Sequence, residues 1–439
     1  MAINEDRLLR STPEIDSTHG VERRRAWPVL GLLLLLLVVN YADKAVVGLA
    51  GVEMKRDLGL SSSEFGLLTS VFFLPFVVGG VLGGALTRRF QARWLLFGIA
   101  VLWAVSLLPL TWQVGFGVVV ASRVVLGFAE GPTTALAMYI AHSWFPAAKR
   151  ALPSSVIVSG AALGPVIAAP ALTWVITNHS WHMAFGALAA VGAFAAALWL
   201  FAGREGPEAV GGGHDASSAR LPDRVPLRRV FGTGTVVGIM VLFFVAYANT
   251  SVKVGWLPLY LREGLGYSAG TAGTLVSLPY LGGAVAVILI GWISGRMTKR
   301  GMSNRVTRGV LGASLVLASG VATAAFAGMD AGPLQMVLLV LGSSLNAAGF
   351  GATFAAISDV SPAGQRGVVL GVITAFYSLA GVIAPLVMGH LVDVGADAAD
   401  GYGSGFLLLG VVMIVGAVVA LVLVDPDRDA AKLADAADR

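Results

Sequence analysis

Residues 27–49 read WPVLGLLLLLLVVNYADKAVVGL, and the first fourteen carry no charge. Asp43 and Lys44 then stand side by side. About 20 consecutive apolar residues span a bilayer as a helix, so this stretch is long enough to cross one. Within it, an ionisable side chain costs about 2.5–3.5 kcal/mol on insertion scales. An adjacent acid and base at that depth therefore need a reason to be there.

The rest of the chain repeats the apolar theme. Of its 439 residues 56% are hydrophobic and only 13% charged, with 56 glycines. A soluble chain would carry about 25% charged residues. The apolar runs lack the alternation of a membrane barrel, and helices alone then satisfy the backbone in lipid. The class is an all-α polytopic membrane protein. Cysteine is absent, which excludes disulfides, thiol catalysis and thiolate metal sites. The polar first 26 residues end in Arg23–Arg25, and no small-residue cleavage site follows, so the first span is expected to be retained.

Twelve apolar windows fall near 27–49, 65–86, 92–112, 115–141, 151–177, 181–202, 230–260, 268–294, 306–328, 332–357, 366–394 and 403–424. Of 30 Lys and Arg, only Lys55, Arg56 and Arg262 fall in loops assigned outside, and Lys44, Arg123 and Lys253 fall within spans. The other 24 lie in inside loops or tails, so both termini are expected to be cytoplasmic. The Gly-, Ser- and Pro-rich stretch 203–229 reads as a linker. It divides the chain into a tail (1–26), a six-helix half (27–202), the linker, a second half (230–424) and a tail (425–439). Landmarks recur across the halves: Leu74-Pro75 with Leu278-Pro279, "GALTRR" at 84 with "GWISGR" at 291, and Pro146/Arg150 with Pro362/Arg366. Such parallel repeats place a ligand site near the bilayer midplane between the halves.

Five ionisable residues lie well inside spans: Asp43, Lys44, Arg123, Glu130 and Lys253. At 1.5 Å per residue, Asp43 and Arg123 both lie about 7.5 Å outward of the midplane, so they are expected to meet. Glu130 follows Arg123 by seven residues, two turns further in on the same face. A cation between two buried acids decides which of them keeps its proton, the chemistry of a relay. Mutual neutralisation that merely holds helices together is the bland alternative. Lys44 points about 100° away from Asp43 around the helix and is expected to line a cavity and attract an anion. Lys253, in "ANTSVKVGWLPLYL", either faces that cavity from the second half or snorkels.

The segments "NYADK", "SRVVLGFAEGP", "WFPAAKRA" and "GWLPLYL" resemble the anion:cation symporter family of the major facilitator superfamily, whose members include sugar-acid and aromatic-acid permeases and sialin-type carriers. The resemblance runs from residue 27 to 424. It implies the major facilitator fold, with twelve transmembrane helices in two six-helix halves, and proton-coupled uptake of an organic anion by alternating access. It also implies that Asp43 and Glu130 are the protonatable carboxylates, coupled by Arg123. Lys44 matches an arginine that contacts the substrate carboxylate, and Tyr41 a cavity-facing tyrosine.

The departures narrow the expectation. Lysine at 44 exchanges a bidentate fork for a point charge. The loop "GALTRRFQAR" has Arg88 and Gln91 where the family pattern has an acid and a glycine, and Gly295 stands for the acid in the second half. The inner gating salt bridge is thereby put in question. Span eleven offers Thr374, Tyr377 and Ser378, and span two offers Phe72, Phe73 and Phe76. A site poor in amides favours a less hydroxylated carboxylate, aromatic or short aliphatic. The partial drug-antiporter element "SGAALGPVIAAP" keeps efflux as an alternative, although small residues at this spacing more often pack helices. A non-transporting sensor is a further alternative. The six histidines show no metal-ligand spacing, and no phosphate loop or nucleophile motif occurs. The basic runs read as topology signals near anionic lipid rather than nucleic-acid contacts. The expectation is a monomeric multi-pass carrier in the cell membrane, with protons as coupling ion, no other cofactor or metal, and no enzymatic activity.

Overall fold

Each uncharged apolar run leaves the backbone a single way to pair its own N–H and C=O groups in lipid, and each forms a helix. The computed structural model describes residues 14–87, 89–146, 149–206 and 225–435. Twelve helices among them are long and apolar enough to cross a membrane. In the first half these are α1 (Ala26–Leu49), α2 (Ser62–Leu86), α3 (Ala92–Thr111), α4 (Phe116–His142), α5 (Leu152–Asn178) and α6 (Trp181–Ala202). The second half holds α7 (Gly234–Gly264), α8 (Ala269–Lys299), α9 (Arg305–Phe326), α10 (Pro333–Asp359), α11 (Arg366–Val394) and α12 (Ala398–Leu423). The expected windows are all occupied, with edges displaced by a few residues. The largest changes are at α8, which continues past residue 294 to Lys299, and at α12, which begins at Ala398 rather than at residue 403. Most of the linker, and Arg88 of the loop after α2, lie outside the described residues.

The repeated landmarks keep one role in both halves. Arg150 donates from Nε to the Phe145 carbonyl (3.0 Å), and Arg366 donates from Nη2 to the Ser358 carbonyl (3.2 Å). Each arginine thus ties the start of one helix to the loop before it. The C-terminal segment forms a helix, Pro426–Asp435, whose Asp429 accepts from the Thr235 backbone N–H and hydroxyl, both at 2.8 Å. It thereby caps the first turn of α7.

Between the halves α2 packs on α11, α5 on α8, and α1 on α7. These contacts gather on the face that the charge distribution assigns outside. There Gly48 lies against the backbone of Val254 and Gly255, Gly66 against Pro385, and Gly389 against Ser62, with no room for a methyl group. Toward the opposite face the same helices part. A methyl placed on Gly84, Gly291, Gly295, Gly367 or Gly371 would meet nothing within 4 Å. The molecule is open on the face carrying most of the Lys and Arg, and sealed on the other.

Charged groups reinforce the seal. Arg262 of α7 grips Glu53 with Nη1 and Nη2, each at 2.8 Å. Lys55 meets Glu263 at 3.2 Å, and the Tyr402 hydroxyl donates to the same carboxylate at 2.8 Å. Asp393 of α11 accepts the Ser62 and Ser63 backbone N–H groups at 2.8 and 2.7 Å, capping α2 from the other half. Two of the three basic residues assigned outside therefore join the halves. The third, Arg56, pairs among the described residues with its exposed neighbour Asp57, at 3.1 Å.

Candidate functional site

Glycine places the acid of the first half. Where α2 crosses α4, Gly127 lies on the Phe72 carbonyl and Gly131 on the Phe76 carbonyl, leaving no space for a side chain. This contact carries Glu130 to the level of Phe76 and opposite α1. The α1 residues Asn40 and Lys44, four apart, share one face there.

The Lys44 ammonium lies 3.2 Å from Glu130 Oε2 and donates to Asn40 Oδ1 at 2.9 Å. It also lies 4.3 Å from the Tyr41 ring centroid and 5.1 Å from that of Phe76. Its contact with Glu130 is an ion pair rather than a directed hydrogen bond, since neither Glu130 oxygen has a hydrogen-bond donor. Lys44 is half-buried, whereas Glu130 is fully buried, so a ligand reaches the base before the acid.

The expected Asp43–Arg123 pair is replaced. Both residues are buried, but no ion pair joins them among the described residues. Both Asp43 oxygens lack a hydrogen-bond partner, as do Arg123 Nε and Nη1. The Arg123 guanidinium lies 4.7 Å over the Phe72 ring, which takes Phe72 out of the cavity wall. Lys44, expected to be incompletely paired, instead holds Glu130. The physical reason is azimuth: depth brings Asp43 and Arg123 level, but the α2–α4 contact turns Glu130 toward the Asn40–Lys44 face. With both acids ionised, the four charges of this cluster cancel.

The second half faces this cluster with aromatic groups. Tyr247 of α7 meets Phe73 at 5.8 Å and Tyr377 at 4.9 Å, and Tyr377 stands edge-on to Phe243 and Phe350. Thr374 lies on the same face of α11 one turn inward, half-buried. Ser378 is buried, its hydroxyl without a partner. Lys253 lies 4.5 Å over the Tyr280 ring. Asn40, Tyr247 and Asn346 escaped the sequence reading. Asn40 was recoverable from its i,i+4 spacing to Lys44, and Tyr247 as a hydroxyl-bearing ring within α7. Asn346 donates to the Ala246 carbonyl (2.9 Å) and to Thr250 (3.3 Å), a role set by helix packing that no local pattern discloses.

The small residues of "SGAALGP" have a packing role. Gly160 sits on Leu37 and Gly164 on Val38 and Tyr41, seating α5 against α1. Among the described residues no group of His, Asp and Glu has the arrangement of a metal site.

Two six-helix halves, sealed at one end around a buried cluster of two acids and two bases, define a membrane carrier. The chain belongs to the Major Facilitator Superfamily, whose family model matches residues 33–341 and 301–438. It is 26% identical over 435 residues to the probable galactarate/D-glucarate transporter GudP of Bacillus subtilis (strain 168), covering 92% of this chain and 94% of that one. It is 27% identical over 404 residues to the hexuronate transporter of the same organism, covering 91% and 94%. These relatives fit the anion:cation symporter branch that the motifs of α1 and α4 resemble. Among solved structures, a bacterial homolog of the human lysosomal transporter Spinster, inward-facing and unoccupied, matches with a TM-score of 0.76 at 18% identity, covering 93% of this chain and 98% of that one. The chain is a transporter of this superfamily and not an enzyme.

Proposed function

We propose that the chain takes up an organic carboxylate together with protons, by alternating access, across the cell membrane with both termini cytoplasmic. The observation that carries this reading is the position of the part-exposed Lys44 ammonium between the buried Glu130 and Asn40. A ligand carboxylate and the Glu130 carboxylate compete for one ammonium. A proton on Glu130 removes the competitor and releases Lys44 to the ligand. Loss of that proton on the cytoplasmic side lets Glu130 recapture Lys44 and expel the ligand. The inward-open form with Lys44 and Glu130 engaged then corresponds to the state after release. Asp43, buried without a donor, is the second proton site, and Arg123 beside it holds the local charge balance.

The cargo is a small organic anion, as the similarity to sugar-acid transporters supports. In this chain the wall opposite Lys44 is built from Phe73, Phe76, Tyr247 and Tyr377, which favours carboxylates with few hydroxyl groups. The test is uptake into proteoliposomes under an imposed pH gradient. Asp43→Asn should abolish acid-driven accumulation while sparing counterflow, and Lys44→Ala should raise KM at least tenfold, as loss of a charged hydrogen bond implies. Normal accumulation by Asp43→Asn would sink the proton-coupled reading.

A further inference from the structure

Away from the transport site, the end of α8 on the parted face carries cations that the protein does not neutralise. No acidic residue occurs between Glu263 and Asp330, whereas Arg296, Lys299, Arg300, Arg305 and Arg308 follow one another from α8 into α9. Two of these are engaged by acids of the second half: Arg305 meets Asp425 at 3.3 Å, and Arg308 pairs with Asp359. The other three are exposed. Among the described residues Arg296 touches only its own helix, its guanidinium lying 4.0 Å over the Trp292 ring. No side-chain ion pair or hydrogen bond engages Lys299 or Arg300 there.

Helix periodicity sets two of these cations at the end of an apolar stripe. The packed sides of α8 are marked by Tyr280, under Lys253 of α7, and by Gly283, which faces Ala347 of α10. At about 100° per residue, Trp292 falls half a turn from Gly283. By the same count Arg296 lies nearly opposite Tyr280, and Lys299 nearly opposite Gly283. Leu281, Val285, Ile288 and Leu289 share that outward side, and with Trp292 they are 47–72% exposed. From Val285 to Arg296 is about 16 Å along the axis, close to half of the ~30 Å hydrocarbon core. The stripe therefore has the length of one leaflet's acyl chain, carries an indole at the level where aromatic belts sit, and ends on unpaired cations.

We propose that this face of α8 binds an anionic phospholipid, its phosphate held between Arg296 and Lys299 and one acyl chain lying along Val285, Ile288 and Trp292. Charge selects the headgroup: a zwitterionic one brings its own cation against the basic pair, and an anionic one does not. Stacking on Trp292 fixes the guanidinium and leaves its N–H edge free for phosphate oxygens. Each basic residue near an anionic surface strengthens binding about fivefold, so the pair gives a preference of more than about tenfold.

The test is native mass spectrometry of the purified full chain in detergent, titrated with dioleoylphosphatidylglycerol or dioleoylphosphatidylcholine. The anionic lipid should bind about tenfold or more tighter. Arg296→Gln with Lys299→Gln should remove most of that preference. Arg56→Gln with Lys432→Gln, which deletes two exposed cations elsewhere, should retain it. Glycerol 3-phosphate, which offers phosphate without a chain, should not displace the lipid. Equal binding of the two lipids, a preference kept by the Arg296 and Lys299 double variant, or an equal loss in both double variants overturns the site. Displacement by glycerol 3-phosphate overturns it too, leaving a site for phosphate alone.

Discussion

In the proposed mechanism coupling turns on Glu130, because its carboxylate and that of the ligand would need the same ammonium. Binding of a carboxylate probe to the purified protein should weaken as pH rises and Glu130 ionises, since the ionised form reclaims Lys44. Glu130→Gln removes the competing charge but keeps the shape. This variant should bind the probe at high pH as tightly as the unmodified protein does at low pH, while losing acid-driven accumulation. A binding profile equally steep in both proteins would place the controlling proton elsewhere. Asn40 adds a second restraint, since its Oδ1 accepts from Lys44 at 2.9 Å and carries no proton that titrates with Glu130. Lys44 is thereby kept facing the cavity after its acid partner lets go.

At the scale of elements, the helix Pro426–Asp435 works as a clasp on α7. Burial alone would raise the Asp429 carboxyl, but hydrogen bonds from Arg428 and Thr235 outweigh it and hold the group below its ordinary value. A depressed carboxyl stabilises the fold above its unfolded pKa of about 3.9, and that stability is lost as pH falls through the lower folded value. Thermal unfolding in detergent should therefore show a fall in Tm on acidification below about pH 5. Asp429→Asn should lower Tm at neutral pH and flatten that fall. The helices themselves and the two halves are legible in the sequence, because apolar length and the sign of loop charges act locally. The pairing of charges is not. Depth along a helix predicts Asp43 opposite Arg123, but partner choice depends on rotation about the helix axis. That rotation is set by Gly127 and Gly131 meeting carbonyls of α2, a contact between segments more than fifty residues apart. The angle of Lys44 to Asp43 makes it an expected cavity-facing base, and the structure leaves its side chain part-exposed. Its engagement with Glu130 needed the packing.

For the whole molecule, the outer seal determines which side is open. Glu53, Lys55, Arg262, Glu263 and Asp393 join the halves across that closed face. Removing one carboxylate should shift the population toward the outward-open form. The chain has no cysteine, so a single cysteine reports without background. Thr69→Cys, buried beneath the seal against Gly255, should react slowly with a membrane-impermeant maleimide added outside. Adding Glu263→Gln or Asp393→Ala should speed that reaction several-fold, and Lys55→Glu with Glu263→Lys should slow it again. Unchanged labelling in both carboxylate variants would mean that the ion pairs accompany closure without controlling it. The glycines of the parted face carry a converse consequence. Gly84 and Gly371 have empty space above them, yet the proposed alternation would bring the two halves together there later in the cycle. A tryptophan at either position acts as a wedge: harmless in the form described, obstructive to the next. It would arrest turnover by bulk alone, with every charge untouched, and would deliver a protein locked open on its Lys- and Arg-rich face.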